Sequence, residues 1–165
     1  MIIRQAVMED HARIMAIYAG ARLFMAEHGK PNQWGPTNWP PSDLIVKDIE
    51  AGKSYVYENA AGTVSGVFFF DQGEDIEPTY REITDGAWKG DNRYGVVHRI
   101  ASDGSEKGIG AACIMWAFEK SGHLRIDTHP DNKVMQSLLK KLGFVQCGII
   151  YVEEDDYPRY AYEKM

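Results

Sequence analysis

Cysteine is scarce in this 165-residue chain: Cys113 and Cys147 are the only two, and they form neither a Cys-x-x-Cys pair nor a disulfide-rich pattern. Reduced thiols are the expectation. A metal site is not expected either, because the five histidines (His11, His28, His98, His123, His129) supply no His-Glu-x-x-His string and no Cys/His framework. Basic charge is also short. Lys and Arg number 18 against 24 Asp and Glu, for a net charge of -6, which opposes attraction to phosphate backbones and argues against nucleic acid as a partner. A cationic small molecule or amine suits that balance better. Long apolar runs are missing: "GVFFF" and "AACIMWAF" fall well short of the ~18 residues of a membrane span. The N-terminal "MIIRQAVMEDHARIM" lacks the basic flank, apolar run and small-residue cleavage site of a signal peptide, so a soluble cytoplasmic protein is expected, with no membrane partner.

What is present fits one globular domain over residues 1–165, at 44% hydrophobic and 25% charged. "MIIRQA" reads as a strand. Residues 8–29 read as a helix with Ile14, Ile17 and Tyr18 on one face and Asp10 as its N-cap. The Pro- and Trp-rich "KPNQWGPTNWPP" breaks it, and Ser42 is expected to cap the next helix, which ends at Gly52. Residues 54–72 read as a hairpin turning at 59–62, while 73–93 is polar and carries no period. From there strands at 94–102, 123–129, 144–152 and 159–164 alternate with helices at 108–122 and 132–143, giving a mixed α/β sheet.

The informative stretch is "RIASDGSEKGIGAACIMWAFEKSG", where Gly108 and Gly110 stand between a strand and a helix. A helix start presents unpaired N–H groups and the positive end of the dipole, which suits a phosphate. A P-loop is excluded, since Lys107 precedes its glycine. A dinucleotide fingerprint has Asp127 near the required ~20-residue spacing, but Cys113 occupies the third glycine position and too little chain follows for a doubly wound fold.

The order strand "HRIA", "KGIGAA" opening a helix, strand "LRIDTHPDN", helix ending "LLKKLGF" and strand "VQCGIIYV" resembles the GCN5-related N-acetyltransferase (GNAT) family. The resemblance is specific from about residue 94 to the C-terminus. It implies a mixed, mostly antiparallel sheet with a splayed parallel strand pair flanked by helices, acetyl-CoA as acyl donor without a metal, and a small-molecule amine or peptide N-terminus as acceptor. A homodimer is left open. On this resemblance Lys107, Gly108, Ile109, Gly110 and Ala111 meet the coenzyme's pyrophosphate, the backbones of Ile100 and Ala101 pair with the pantetheine arm, and Asn132 offers its amide to pantetheine. The family's loop begins with Gln or Arg where this chain has Ser105. Its usual tyrosine acid is replaced by Leu139, which falls in the apolar set Met135, Leu138, Leu139 and Leu142.

Strand alternation places Arg125, Asp127 and His129 on one face. Asp127 and His129 are thus the candidates to take the substrate's proton or hold its ammonium, and Tyr151, with Tyr157, is the substitute for the missing acid, although a half-buried place on a strand is the commoner role for such tyrosines. His98 alternates with Val96 and Ile100 and is expected as a satisfied core histidine. Cys147 is expected to be small buried packing, and Trp34, Trp39 and the "GEDIEPTYRE" loop are candidates to wall the acceptor pocket. Alternative readings are a non-catalytic acyl-CoA binding or sensing domain and, behind it, a dinucleotide-binding domain.

Overall fold

The computed structural model describes residues 1–27, 38–153 and 155–165. The chain divides into two compact units, one of Met1–Phe70 with Arg99–Ile114 and one of Asp71–His98 with Met115–Met165.

The first unit holds β1 (Ile2–Gln5), a 3-10 turn (Met8–Asp10) running into α1 (His11–Glu27), α2 (Ser42–Glu50), β2 (Ser54–Glu58), the opening of β3 (Val64–Glu74), the end of β4 (Arg93–Ser102) and the start of α3 (Ile109–Ser121). Ile14, Ile17 and Tyr18 recur at helical spacing and close on Ile45, Val56 and Val67. β1 and β2 are antiparallel, with Ile3 opposite Tyr57, and so are β2 and β3, with Tyr57 opposite Gly66. Both expected caps are corrected. Asp10 acts from inside the first turn: its carboxylate accepts the Val7 N–H at 2.8 Å and is held by Arg4 at 2.8 Å. Ser42 does not cap α2. Pro41 takes that place with an extended backbone and a carbonyl that accepts the Ile45 N–H, leaving the Ser42 hydroxyl to meet His11 Nε2 at 3.0 Å.

The second unit holds the end of β3, a 3-10 turn (Pro78–Tyr80), the opening of β4, the remainder of α3, β5 (Leu124–Thr128), α4 (Lys133–Lys141), β6 (Val145–Tyr151) and β7 (Pro158–Lys164). β7 lies antiparallel to both β5 and β6. β4 and β5 are parallel, but their ladder has only two pairs, Gly95 with Leu124 and Val96 with Arg125. The strand order β1-β2-β3-β4-β5-β7-β6 is therefore the mixed, mostly antiparallel arrangement expected, with one parallel pair.

The segment that carried no period has a definite job. After β3 ends at Glu74, the 3-10 turn buries Tyr80, and Thr84 bridges to Ile149 of β6 through two hydrogen bonds, 2.9 and 2.8 Å. Gly86 makes the strap possible: its φ is +152°, and a Cβ there would lie 1.9 Å from the Cys147 carbonyl oxygen. Beneath the strap Arg125, 1% exposed, is sandwiched between the rings of Trp88 and Tyr94 at 4.4 and 4.3 Å.

Candidate active site

In the first unit, the turn into α3 is open on one side and anchored on the other. Gly108 has φ +86°, which favours glycine, and a Cβ there would meet nothing within 4 Å. The first bond of the helix runs from Ala112 N to Gly108 O, so the N–H groups of Ile109, Gly110 and Ala111 have no acceptor inside it. Such a set, at the positive end of the dipole, fits a pyrophosphate. The anchor is Asp103, whose carboxylate accepts the Ser105 N–H at 2.9 Å and the Arg13 guanidinium at 2.6 Å. Burial alone raises the pKa of Asp103, but the bonds from Ser105 and Arg13 outweigh it and leave it lowered. Lys107 is exposed on the turn, and the Glu106 carboxylate accepts the Tyr57 hydroxyl.

Ile100 and Ala101, both half-buried, follow an irregularity in β4. Arg99 has φ +51°, rare for a side chain of this size. Tyr18 donates to its carbonyl at 2.7 Å, and Asp48 holds its guanidinium at 2.8 Å, above the Phe69 ring. A residue turned out of the strand conformation stands here just before the backbone expected to pair with pantetheine.

In the second unit, the short parallel ladder decides which side chains meet. His98 and Asp127 each lie two residues past the last pair, Val96 with Arg125, and so project to one face of their strands. His98 Nδ1 is 3.8 Å from Asp127 Oδ2, and His98 Nε2 is 2.7 Å from Glu77 Oε2. Asp127 Oδ2 also accepts the Tyr80 hydroxyl at 2.7 Å. Burial works against the charge of Glu77, yet bonds from His98 and from Thr79 bring its pKa down to about 2. A carboxylate that stays ionised only accepts, so it fixes the hydrogen of His98 on Nε2. Tyr80 is pushed well above the usual phenol value, first by burial and then by Asp127, and stays a donor. Trp88 fastens Tyr80 in turn, donating to its carbonyl at 2.8 Å.

A GNAT-family acetyltransferase structure from Streptococcus agalactiae is 31% identical to this chain, covers 99% of it and is itself covered over 94%, with a TM-score of 0.87. This chain belongs to the GNAT family. The ribosomal-protein-alanine N-acetyltransferase of Brucella melitensis (18% identity, 100% and 99% of the two chains, TM-score 0.64) and Arabidopsis thaliana NAA60 in complex with acetyl-CoA (12%, 99% and 97%, 0.66) share the fold. No family model matches the sequence, and no curated protein matches it.

Within this GNAT chain the residues expected from the sequence do not all gather. Asp127 stands in the Glu77–His98 row, whereas His129 lies past the end of β5, is 2% exposed and accepts the Asp131 N–H on Nδ1 at 3.0 Å. Its ring packs on Tyr157, and burial, then Arg159, lowers its pKa. No described hydrogen bond joins His129 to Asp127, because the strand ends at Thr128 and the chain turns into α4. Tyr151 and Tyr157, expected as half-buried strand residues, are instead 57% and 42% exposed. Tyr151 closes β6, and Tyr157 precedes β7. Asn132 is the N-cap of α4: its Oδ1 accepts the Met135 N–H at 3.1 Å. Leu139 is fully buried, so no acid stands at the family's tyrosine position.

His98 is satisfied as expected, but by Glu77 rather than by a core, and it belongs to the candidate site. Glu77 and Tyr80 lie in the "GEDIEPTYRE" loop expected to wall the acceptor pocket, but nothing in the sequence singled either out as a partner of His98 or Asp127. Cys147 is buried 3.8 Å from the Glu163 carboxylate, and burial pushes the Cys113 thiol up to about 12, so neither thiol is a nucleophile. Among the described residues no group of three or more His, Cys, Asp or Glu is arranged to hold a metal ion, and no helix is long and apolar enough to cross a membrane. Trp34 lies outside the described residues, and Trp39 is half-buried with its carbonyl 3.3 Å from Arg22 Nη1.

Proposed function

We propose that this chain is, over residues 1–165, an acetyl-CoA-dependent N-acetyltransferase that moves the acetyl group directly to a primary amine of a small molecule or a protein N-terminus. The observation that carries the reading is the row Glu77–His98–Asp127, an ionised carboxylate orienting an imidazole beside a second carboxylate. Such a row serves a reaction that begins by removing a proton from an ammonium. The name of the ribosomal-protein-alanine N-acetyltransferase supports a protein acceptor, and the acetyl-CoA complex of NAA60 supports the donor.

Acetyl-CoA, when bound, supplies the acetyl group as a thioester. The N–H groups of Ile109, Gly110 and Ala111 hold its pyrophosphate, with Lys107 adding charge, and the backbones of Ile100 and Ala101 take the pantetheine arm. Asp127 attracts the ammonium and accepts its proton, leaving a neutral amine and a carboxylic acid. His98, with its hydrogen fixed on Nε2 by Glu77, offers Nδ1 as the next station for that proton. His129 and Tyr151 remain secondary candidates for proton handling. Leu139 supplies no proton: as the neutral amine attacks the thioester carbonyl the C–S bond breaks and the coenzyme departs as a thiolate, tolerable for a group of pKa ~8.5. The nitrogen's second proton passes to Asp127 once the first has moved on to His98.

Asp127→Asn keeps size and shape but removes basicity, so turnover with a confirmed acceptor should fall ~100-fold or more while acetyl-CoA affinity holds. The residual rate should track the free amine and recover at high pH. Full turnover in the variant would remove Asp127 from the chemistry. The buried Leu139 favours one second reading, a non-catalytic acyl-CoA sensor, in which acetyl-CoA binds and no amine is acetylated.

A further inference from the structure

The turn that opens α3 carries a negative side chain of its own. Glu106 lies two residues before Gly108, in the turn that leads to the N–H groups of Ile109, Gly110 and Ala111. A carboxylate swinging free there would compete with any bound phosphate, both by repulsion and by taking those donors itself. It is not free. No described hydrogen bond runs from those N–H groups to Glu106, and Glu106 Oε1 accepts the hydroxyl of Tyr57 instead.

Tyr57 is built for that contact. It lies on β2 opposite Gly66 of β3, and its residue surface is only 7% exposed. A Cβ at Gly66 would lie 2.7 Å from Ile109 Cγ2 and 3.2 Å from Tyr57 Cβ, so one missing side chain seats both the first residue of α3 and the ring. The phenol's pKa is raised, chiefly by its bond to Glu106 and then by burial, which keeps it a donor at neutral pH. Asp103 fixes the other end of the turn through Arg13.

We propose that Tyr57 is a positioning residue for the coenzyme: it holds the Glu106 carboxylate off the anion-binding N–H groups, leaving them for the pyrophosphate. The proposal rests on reading this turn as the pyrophosphate site. It assigns Glu106 no direct contact with the coenzyme, and it gives Tyr57 a role that depends wholly on the presence of that carboxylate.

The test is calorimetric titration of the full chain with free CoA and with phosphate-free pantetheine, alongside a melting curve for each variant. Tyr57→Phe should bind CoA about tenfold more weakly, the scale of a unit charge beside a doubly charged group at a wet surface. Pantetheine affinity should be unchanged. Glu106→Gln should bind CoA at least as tightly as the wild type, and Tyr57→Phe with Glu106→Gln should match Glu106→Gln alone. The Tyr57→Phe loss should also shrink in about 1 M salt. Wild-type CoA affinity in Tyr57→Phe, or an equal loss in the double variant, would overturn the proposal. Gly110→Asp separates the two claims. If it leaves CoA affinity unchanged, the pyrophosphate reading fails, and if it abolishes binding while Tyr57→Phe is neutral, only the tether fails.

Discussion

Removing the Glu163 carboxylate should unfold the second unit's support more than any surface change. Glu163 is almost wholly buried and accepts from Arg125 Nε at 2.8 Å, His123 Nε2 at 2.7 Å, Lys89 N at 2.7 Å and Gly90 N at 3.1 Å. Glu163→Ala leaves a guanidinium 1% exposed without its countercharge and two backbone N–H groups without an acceptor. Breaking one partner of a buried pair costs about 3–5 kcal/mol, and each orphaned N–H adds to it unless water enters, so about 4 kcal/mol is the expectation. For a chain of this length that lowers Tm by roughly 10 °C. Urea unfolding followed by tryptophan fluorescence at neutral pH measures it. Burial raises the pKa of Glu163, but the His123, Arg125 and Lys89 bonds outweigh it and leave the folded value lowered. Stability from a lowered carboxylate is present above the unfolded pKa and lost as pH falls through the folded one. The wild-type and Glu163→Ala stabilities should therefore converge in acid. A loss below about 1 kcal/mol at neutral pH, or a gap that widens in acid, would refute the argument.

Gly86→Ala should destabilise by about 3 kcal/mol or more, because the new Cβ would meet backbone, the Cys147 carbonyl, and lift the Thr84–Ile149 bridge; chemical denaturation with hydrogen exchange at residue 149 checks both effects. Leu139→Tyr should not raise the transfer rate and should cost about 1–3 kcal/mol, since the position is fully buried and the added hydroxyl has no water there. A rate gain in that variant would mean the α4 position faces the reacting groups.

The fold was legible wherever periodicity or turn chemistry spoke. Alternation in "HLRIDTH" gave β5 with Asp127 on the face shared with Arg125, and the glycine pair gave the start of α3. The candidate site was only half legible. Tyr80 reaches Asp127, and Glu77 reaches His98, from a segment held by Thr84, Gly86 and Trp88 through contacts outside its local pattern, which carries no trace of them. The face shared by Asp127 and His129 failed for a local reason: alternation holds only while the strand continues, and β5 stops at Thr128. The caps failed similarly, because Arg4 and His11 claim Asp10 and Ser42 from other elements.

Acetyl transfer to an amine is measured directly by simultaneous thiol release and mass detection of the acetylated product. Wild-type chain is incubated with acetyl-CoA and a panel of small primary amines and peptides with free N-termini. Thiol release should be saturable and require an acceptor, with one acetyl group per acceptor nitrogen and a rate ~100-fold lower in Asp127→Asn at unchanged acetyl-CoA affinity. Tight acetyl-CoA binding with no acetylated product from any amine would contradict it and leave an acyl-CoA sensor in its place.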